Sequence, residues 1–178
     1  MPLGLDSPMD LGTSRRTLAA DSTLTAAGMG AATETAHTAI SLLSDFTNTV
    51  RRLVKFKAIL LVDAHVDGNW TIRARLGGVG GVLLGATAAT VKAAGDVIVV
   101  EGFYQIWAIG AAATAEMLGK IQIGGSGNWA ESDTFYSDNA TIDTTIDQDL
   151  VITSESSTNT AGNDVTLVHF EYEVYPAN

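Results

Sequence analysis

Leu53–Leu76 reads LVKFKAILLVDAHVDGNWTIRARL, and its alternation decides the fold. Val54, Phe56, Ala58, Leu60, Val62, Ala64 and Val66 occupy the even positions, with Lys55, Lys57, Asp63 and His65 among the odd ones. Successive side chains of a strand point to opposite faces, so this period of two predicts a long strand with one buried face. Ile59 and Leu61 interrupt the polar face, which predicts cover there. Asp67-Gly68-Asn69 is turn chemistry, since Gly reaches positive φ and Asp and Asn bond to nearby backbone. Trp70, Ile72, Ala74 and Leu76 then alternate with Thr71, Arg73 and Arg75. The two runs read as a hairpin.

The same texture continues on both sides. Gly77–Gly81 (GGVGG) is a hinge between strands, Val82–Ala94 is small and β-branched, and Gly95-Asp96 turns the chain. Val97–Trp107 (VIVVEGFYQIW) is a strand in which Gly102 predicts a bulge or a close backbone approach. Ala111–Leu118 has helical composition over about two turns. Lys120–Ile123 is a short strand, and Gly124–Asn139 is a loop holding Trp129, Phe135 and Tyr136. Thr141–Ser154 reads as one strand, the Ser/Thr/Asn tract Ser156–Asn163 as a turn, and Asp164–Tyr175 as the last strand. On the N-terminal side, Ala36–Val50 is expected to be strand and loop, and Leu18–Thr25 to hold one short strand. Residues 1–16, with Pro2, Pro8, Gly4 and Gly12, read as an extended N-terminal arm, and 17–178 as a single β-sandwich domain. About eight strands without βα alternation predict an all-β, antiparallel β-sandwich, with the jelly roll as its eight-stranded form.

Composition sets bounds on function. At 178 residues and 46% apolar, the chain is long enough for one packed domain. Its formal net charge is −10, and residues 121–178 hold ten of its twenty acids and none of its ten bases. Phosphate contacts need clustered Lys and Arg, so no nucleic acid partner is expected. There are no cysteines, hence no disulfide or thiolate chemistry. The first residues lack the basic start and apolar run of a secretory signal. No apolar stretch reaches the ~18 residues of a membrane span, and Val79–Val91, the nearest, is short and rich in Gly, Ala and Thr. A soluble protein made in a cytoplasm, with no membrane partner, is the expectation.

Motifs for chemistry are missing. GGVGG lacks the Gly-Lys-Ser/Thr ending of a phosphate loop, and Gly124–Gly127 is not a nucleophile elbow because Asn128 follows. His37, His65 and His169 stand in no metal-ligand spacing. No cofactor and no enzymatic activity are expected. Asp143, Asp147 and Asp149 would line one face if Thr141–Ser154 is a strand, and their repulsion then needs solvent, a cation such as Ca²⁺, or a basic partner. With no signal peptide expected, the sequons at Asn69 and Asn139 are read as chance matches.

Taken in order, NWTIRARLGG, GDVIVVEGFYQIW, ATIDTTIDQDLVITS, a Ser/Thr/Asn loop and NDVTLVHFEYEVY resemble the jelly-roll head-decoration (cement) and head-fibre structural proteins of tailed bacteriophages. The resemblance covers roughly residues 50–175 and rests on strand texture and order. It implies a homotrimer on the outer surface of a phage head, binding the major capsid protein and stabilising the lattice, with localisation to the virion. The arm would reach the lattice, and Arg15 and Arg16 would be capsid contacts. A receptor- or glycan-binding head of a fibre or tail protein is the alternative, with Trp129, Phe135 and Tyr136 stacking on sugars. The uneven charge adds a further expectation: the near-neutral first part meets the capsid, while the anionic C-terminal part, with Asp143, Asp147 and Asp149 in one row and Glu171 and Glu173 in another, faces solvent or one side of an intersubunit contact.

Overall fold

A computed structural model describes residues 14–18, 22–25, 33–42, 48–64, 66–86, 93–125 and 135–175. Its regular elements are all strands: β1 (Ser14–Leu18), β2 (Ser22–Thr25), β3 (Thr35–Leu42), β4 (Leu53–Ala64), β5 (Trp70–Leu76), β6 (Val82–Ala86), β7 (Val97–Gln105), β8 (Ala113–Gly125), β9 (Phe135–Ile142), β10 (Gln148–Ser156) and β11 (Asp164–Tyr175). They form two antiparallel sheets. One runs β1-β11-β4-β7-β8-β9, with β2 also paired to β11, and the other runs β3-β10-β5-β6. The pairing is nested in chain order. β1 and β2 pair with β11, β3 with β10, β4 with β7, and β5 with β6.

The core lies between the sheets and takes side chains from both. Val54, Phe56, Ala58, Leu60 and Val62 of β4 face Trp70, Ile72, Ala74 and Leu76 of β5 and Leu150 and Ile152 of β10. The alternation in Leu53–Leu76 is therefore real, and Ile59 and Leu61 are half-buried on the outer side. The hairpin expected there does not form. β4 pairs with β11 and β7, whereas β5 pairs with β10 and β6, so Asp67-Gly68-Asn69 carries the chain from one sheet to the other. The reason lies in the loop before β11. Fully buried Asn163 accepts at its side-chain oxygen from the Val66 and Asp67 amides (2.6 and 3.3 Å) and donates to the Asp67 carbonyl at 2.6 Å. Backbone groups that a hairpin would pair across the turn are thus held by a third segment.

Three other expectations change. Ala111–Leu118 is not helical. β8 starts at Ala113 and pairs with β9 from Ala113↔Ile142, so sheet pairing overrides the propensity of Ala, Glu, Met and Leu. Thr141–Ser154 is two strands, β9 ending at Ile142 and β10 starting at Gln148. Gly102 sits in continuous register opposite Phe56, with no bulge. The pairing of β11 with β4 instead carries two register shifts, at Asp164/Val165 and between Leu167 and His169. The second bears on the core. It turns Val168 outward and lets Val165 and Leu167 share the core with Phe170, Tyr172 and Val174. Within Ala36–Val50, the strand expected is β3.

Candidate interaction surface

One end of the sandwich gathers the loops 48–52, 106–112 and 143–147. β4 and β10 begin there and β7 ends there. Buried Thr144 fastens them. Its amide donates to the Gly110 carbonyl at 3.1 Å, its hydroxyl accepts from the Gly110 amide at 2.8 Å, and the hydroxyl donates to Asn48 Oδ1 at 3.3 Å. The Arg51 amide donates to the Ile106 carbonyl and Ile106 N–H returns to Arg52. Asp143 accepts from the Thr145 amide at 2.8 Å and hydroxyl at 2.6 Å, which holds its carboxyl below the usual range. On this braced frame stand Val50 (39% exposed), Trp107 (39%), Ile109 (46%) and Ile146 (55%). Ile106, one residue before Trp107, is fully buried, so the chain leaves the core and turns apolar side chains to the outside.

β1 enters the sandwich at the same end. Ser14 lies opposite Val174, and Tyr175 lies opposite Leu53. Arg15 and Arg16 are register positions of this edge strand, opposite Glu173 and Tyr172. The other end is polar. Asp67 and Asp96 lie in its loops and Asp63 and Asp164 at the adjoining ends of β4 and β11, with no Lys or Arg there among the described residues. Thr158 donates to Asp67 Oδ1 at 3.0 Å, Ser157 Oγ accepts from the Asn69 amide at 2.9 Å, and Val66 is the exposed large apolar side chain described there.

Charge elsewhere is interleaved. On the outer face of the larger sheet, Glu171, Lys57 and Glu101 share one row across β11, β4 and β7, and Glu173, Lys55 and Phe103 share the next. Lys57 Nζ is 2.6 Å from Glu101, and Lys55 Nζ lies 4.6 Å from the Tyr175 ring centroid, whose hydroxyl donates to Glu173 at 2.8 Å. A shallow cleft of about 330 Å³ runs between the rows, floored by Phe56, Gly102 and Tyr172. On the outer face of the smaller sheet, Arg75 holds Glu34 through Nε (2.6 Å) and Nη2 (2.8 Å), and Arg73 Nη1 is 2.5 Å from Glu155. Burial alone would raise the Glu34 carboxyl, but hydrogen bonds from Arg75 and Thr153 and the charges of Arg75 and Arg73 outweigh it and hold it below its ordinary value.

The expected division of charge therefore fails. β11 lies between β1 and β4, so its acids alternate with bases from the first part of the chain. Asp143, Asp147 and Asp149 do not form a row: the first two sit in the loop and Asp149 in β10. Among the described residues, no group of three His, Asp or Glu is placed to hold a metal ion. Phe135 and Tyr136 begin β9 rather than lying in a loop, while Trp129, His65 and residues 1–13 fall outside the described residues. The apolar cluster was not singled out in the sequence. Trp107 closes a strand-like run, and only its continuation into Ala108-Ile109-Gly110, past the end of the alternation, hints at exposure.

Comparison with known proteins adds no family. No family model matches, and no curated protein does either. Solved structures similar to the chain include a protein of unknown function from Shewanella oneidensis MR-1, at 10% identity and a TM-score of 0.44 over 93% of this chain and 87% of that one. A chain of the T13 infectious bursal disease virus particle is similar at 12% identity and a TM-score of 0.43, over 99% of this chain and 35% of the viral one. A Bacillus endospore appendage that forms disulfide-linked pili is similar at 14% identity and a TM-score of 0.35, over 94% and 88%. This chain thus spans about a third of the length of the viral protein.

Proposed function

We propose that this chain is a jelly-roll structural protein of a virion, a decoration (cement) protein that binds the major capsid protein on the outside of a phage head as a trimer. The nested pairing supports the jelly roll. First pairs with last, β3 with β10, β4 with β7 and β5 with β6, and the ribbon is rolled so that β11 meets β4 and β10 meets β5. The observation that carries the functional reading is the polarity along the sandwich. One end presents four exposed apolar side chains on loops braced by Thr144, and β1 enters there, while the far end presents four aspartates, a single exposed large apolar side chain, Val66, and no base among the described residues. A protein that seats one end on a surface and turns the other to water has this form. Aromatic and aliphatic anchors on rigid loops bury area at little conformational cost. Trimerisation then multiplies a modest contact, because linked sites raise avidity by about 10²–10⁴ when all engage.

The test is sedimentation of purified phage heads lacking this protein, mixed with the full chain, a Trp107→Asp variant and a chain lacking residues 1–13. Wild-type protein is expected to co-sediment, and the Trp107→Asp protein to stay in the supernatant while remaining folded by circular dichroism. Failure of the wild-type protein to bind heads, or a monomer by light scattering, removes the decoration reading.

A further inference from the structure

Arg51 lies in the 48–52 loop of the apolar end and differs from every other described residue. It is the non-glycine residue with positive φ among them, at 66°. That region crowds Cβ against the following carbonyl, and L-residues other than Asn and Asp rarely adopt it. The strain is imposed from both sides. The Arg51 amide is bonded to the Ile106 carbonyl, and the Arg51 carbonyl accepts from Gln105 Nε2 at 3.1 Å. A glycine would take this conformation freely, as Gly68 and Gly77 do in their own turns. The position instead holds a long cationic side chain, exposed, with no hydrogen bond or ion pair from its guanidinium among the described residues. Val50 precedes it, and the Trp107–Ile109 loop is tied to its backbone. Strain of this kind persists where the surroundings over-determine it, and it clusters at functional positions.

We infer that Arg51 is the specificity residue of the apolar end, and that its partner is a protein surface presenting a carboxylate beside an apolar recess. The inference rests on the reading of this end as the docking face and names the chemistry it recognises. An exposed guanidinium on the same loops as exposed Trp107 and Ile109 would be shielded from water on docking, where a charge-assisted, two-pronged bond to a carboxylate is strongest. Arg and Trp are the residue types that dominate binding energy when they sit centrally and are ringed by apolar contacts. The carboxylate is the required counterpart because an unpaired guanidinium buried at an interface weakens binding.

Two measurements test this. The first is thermal unfolding of Arg51→Gly beside Arg51→Ala. Relief of the left-handed strain is expected to raise the Arg51→Gly midpoint above that of Arg51→Ala by about 2–4 °C. Equal midpoints mean that the conformation is not held in solution and overturn the argument from strain. The second is an NMR titration of the isotope-labelled full chain with N-acetylphenylalanine and with its amide. The acid is expected to shift resonances of 48–52, 106–110 and 144–147, and to do so at least tenfold more weakly in Arg51→Gly, while the amide moves them little. Equal shifts from acid and amide, or shifts mapping elsewhere, overturn the carboxylate assignment. The heads assay separates this inference from the reading it rests on. If heads bind wild-type and Arg51→Gly protein equally, the decoration reading stands and the role of Arg51 falls. If heads bind neither but the acid maps to this end, the decoration reading falls and the recognition of a carboxylate stands.

Discussion

Replacing Glu34 by glutamine is expected to destabilise the sandwich by about 2–3 kcal/mol, and the size follows from four contacts. The carboxylate accepts from Arg75 Nε at 2.6 Å, Arg75 Nη2 at 2.8 Å and Thr153 Oγ1 at 2.5 Å, and Arg73 Nη1 lies 3.6 Å away. Glu34 is 14% exposed, and the two arginines 18% and 19%. Removing one member of a buried ion pair costs about 3–5 kcal/mol because the partner charge is left unmatched. Two features reduce it here: Glu155 remains beside Arg73 at 2.5 Å, and the Gly81 carbonyl still accepts from Arg75 Nη1 at 3.0 Å. Glutamine keeps the size but, whichever way its amide lies, turns an NH₂ group towards an Arg75 N–H, donor against donor. For a chain of this length the melting point should fall by about 4–12 °C. The pH dependence gives the sign. The Glu34 carboxyl is held below its ordinary value in the folded state, so its contribution is complete above the unfolded pKa of about 4.3 and is lost as pH falls through the lower folded value. Urea unfolding at pH 7 and at pH 3.5 should therefore show the gap between wild type and Glu34→Gln narrowing in acid. A gap below about 0.5 kcal/mol at pH 7 refutes the reasoning, as does one that widens on acidification.

Asn163→Ala removes the side chain that holds the Val66 and Asp67 amides in place of a hairpin, leaving partly buried donors unmatched, and should cost about 1–2 kcal/mol by urea unfolding. Lys57→Ala should cost less than about 1 kcal/mol, and the effect should fade in high salt, because Lys57 and Glu101 are 40% and 48% exposed.

The strands with one apolar and one charged face were legible because a period of two needs no knowledge of partners. β4, β5 and the second half of β11 lie where the alternation puts them. Which strands pair was not legible in the same way. Asp67-Gly68-Asn69 has a hairpin's chemistry, yet the deciding hydrogen bonds come from Asn163, nearly a hundred residues away in sequence. The two-strand nature of Thr141–Ser154 was hidden for a related reason. Its turn is built by Asp143 accepting from Thr145, and Asp and Thr also suit a strand with one polar face. Ala111–Leu118 misled because helix propensity is a weak local preference beside the pairing of β8 with β9. The apolar end was hidden because Trp107 and Ile109 look like continuing strand, and only the burial of Ile106 beneath them shows that the chain has left the sheet.

The charge pattern shows how far sequence order and spatial order part company in this topology. In a rolled ribbon the last strand lies beside the first and the fourth, so a tail without a single base is folded among strands that carry them. Glu171 lies opposite Lys57, Glu173 opposite Lys55, and Glu155 beside Arg73. Several of the C-terminal acids are thereby matched within the fold, and the lateral faces alternate in sign. What remains one-sided is the axis. The far end has four aspartates and no described base, while the near end sets Arg51 and Arg52 against Asp143 and Asp147, beside exposed Trp107 and Ile109. An acidic far end opposes close approach of a second particle, since like charges repel and net charge favours dispersion. The near end, with its mixed charge and apolar anchors, has no such barrier. The same nested pairing that scatters the acidic tail across the lateral faces therefore leaves one end suited to docking and the other to solvent.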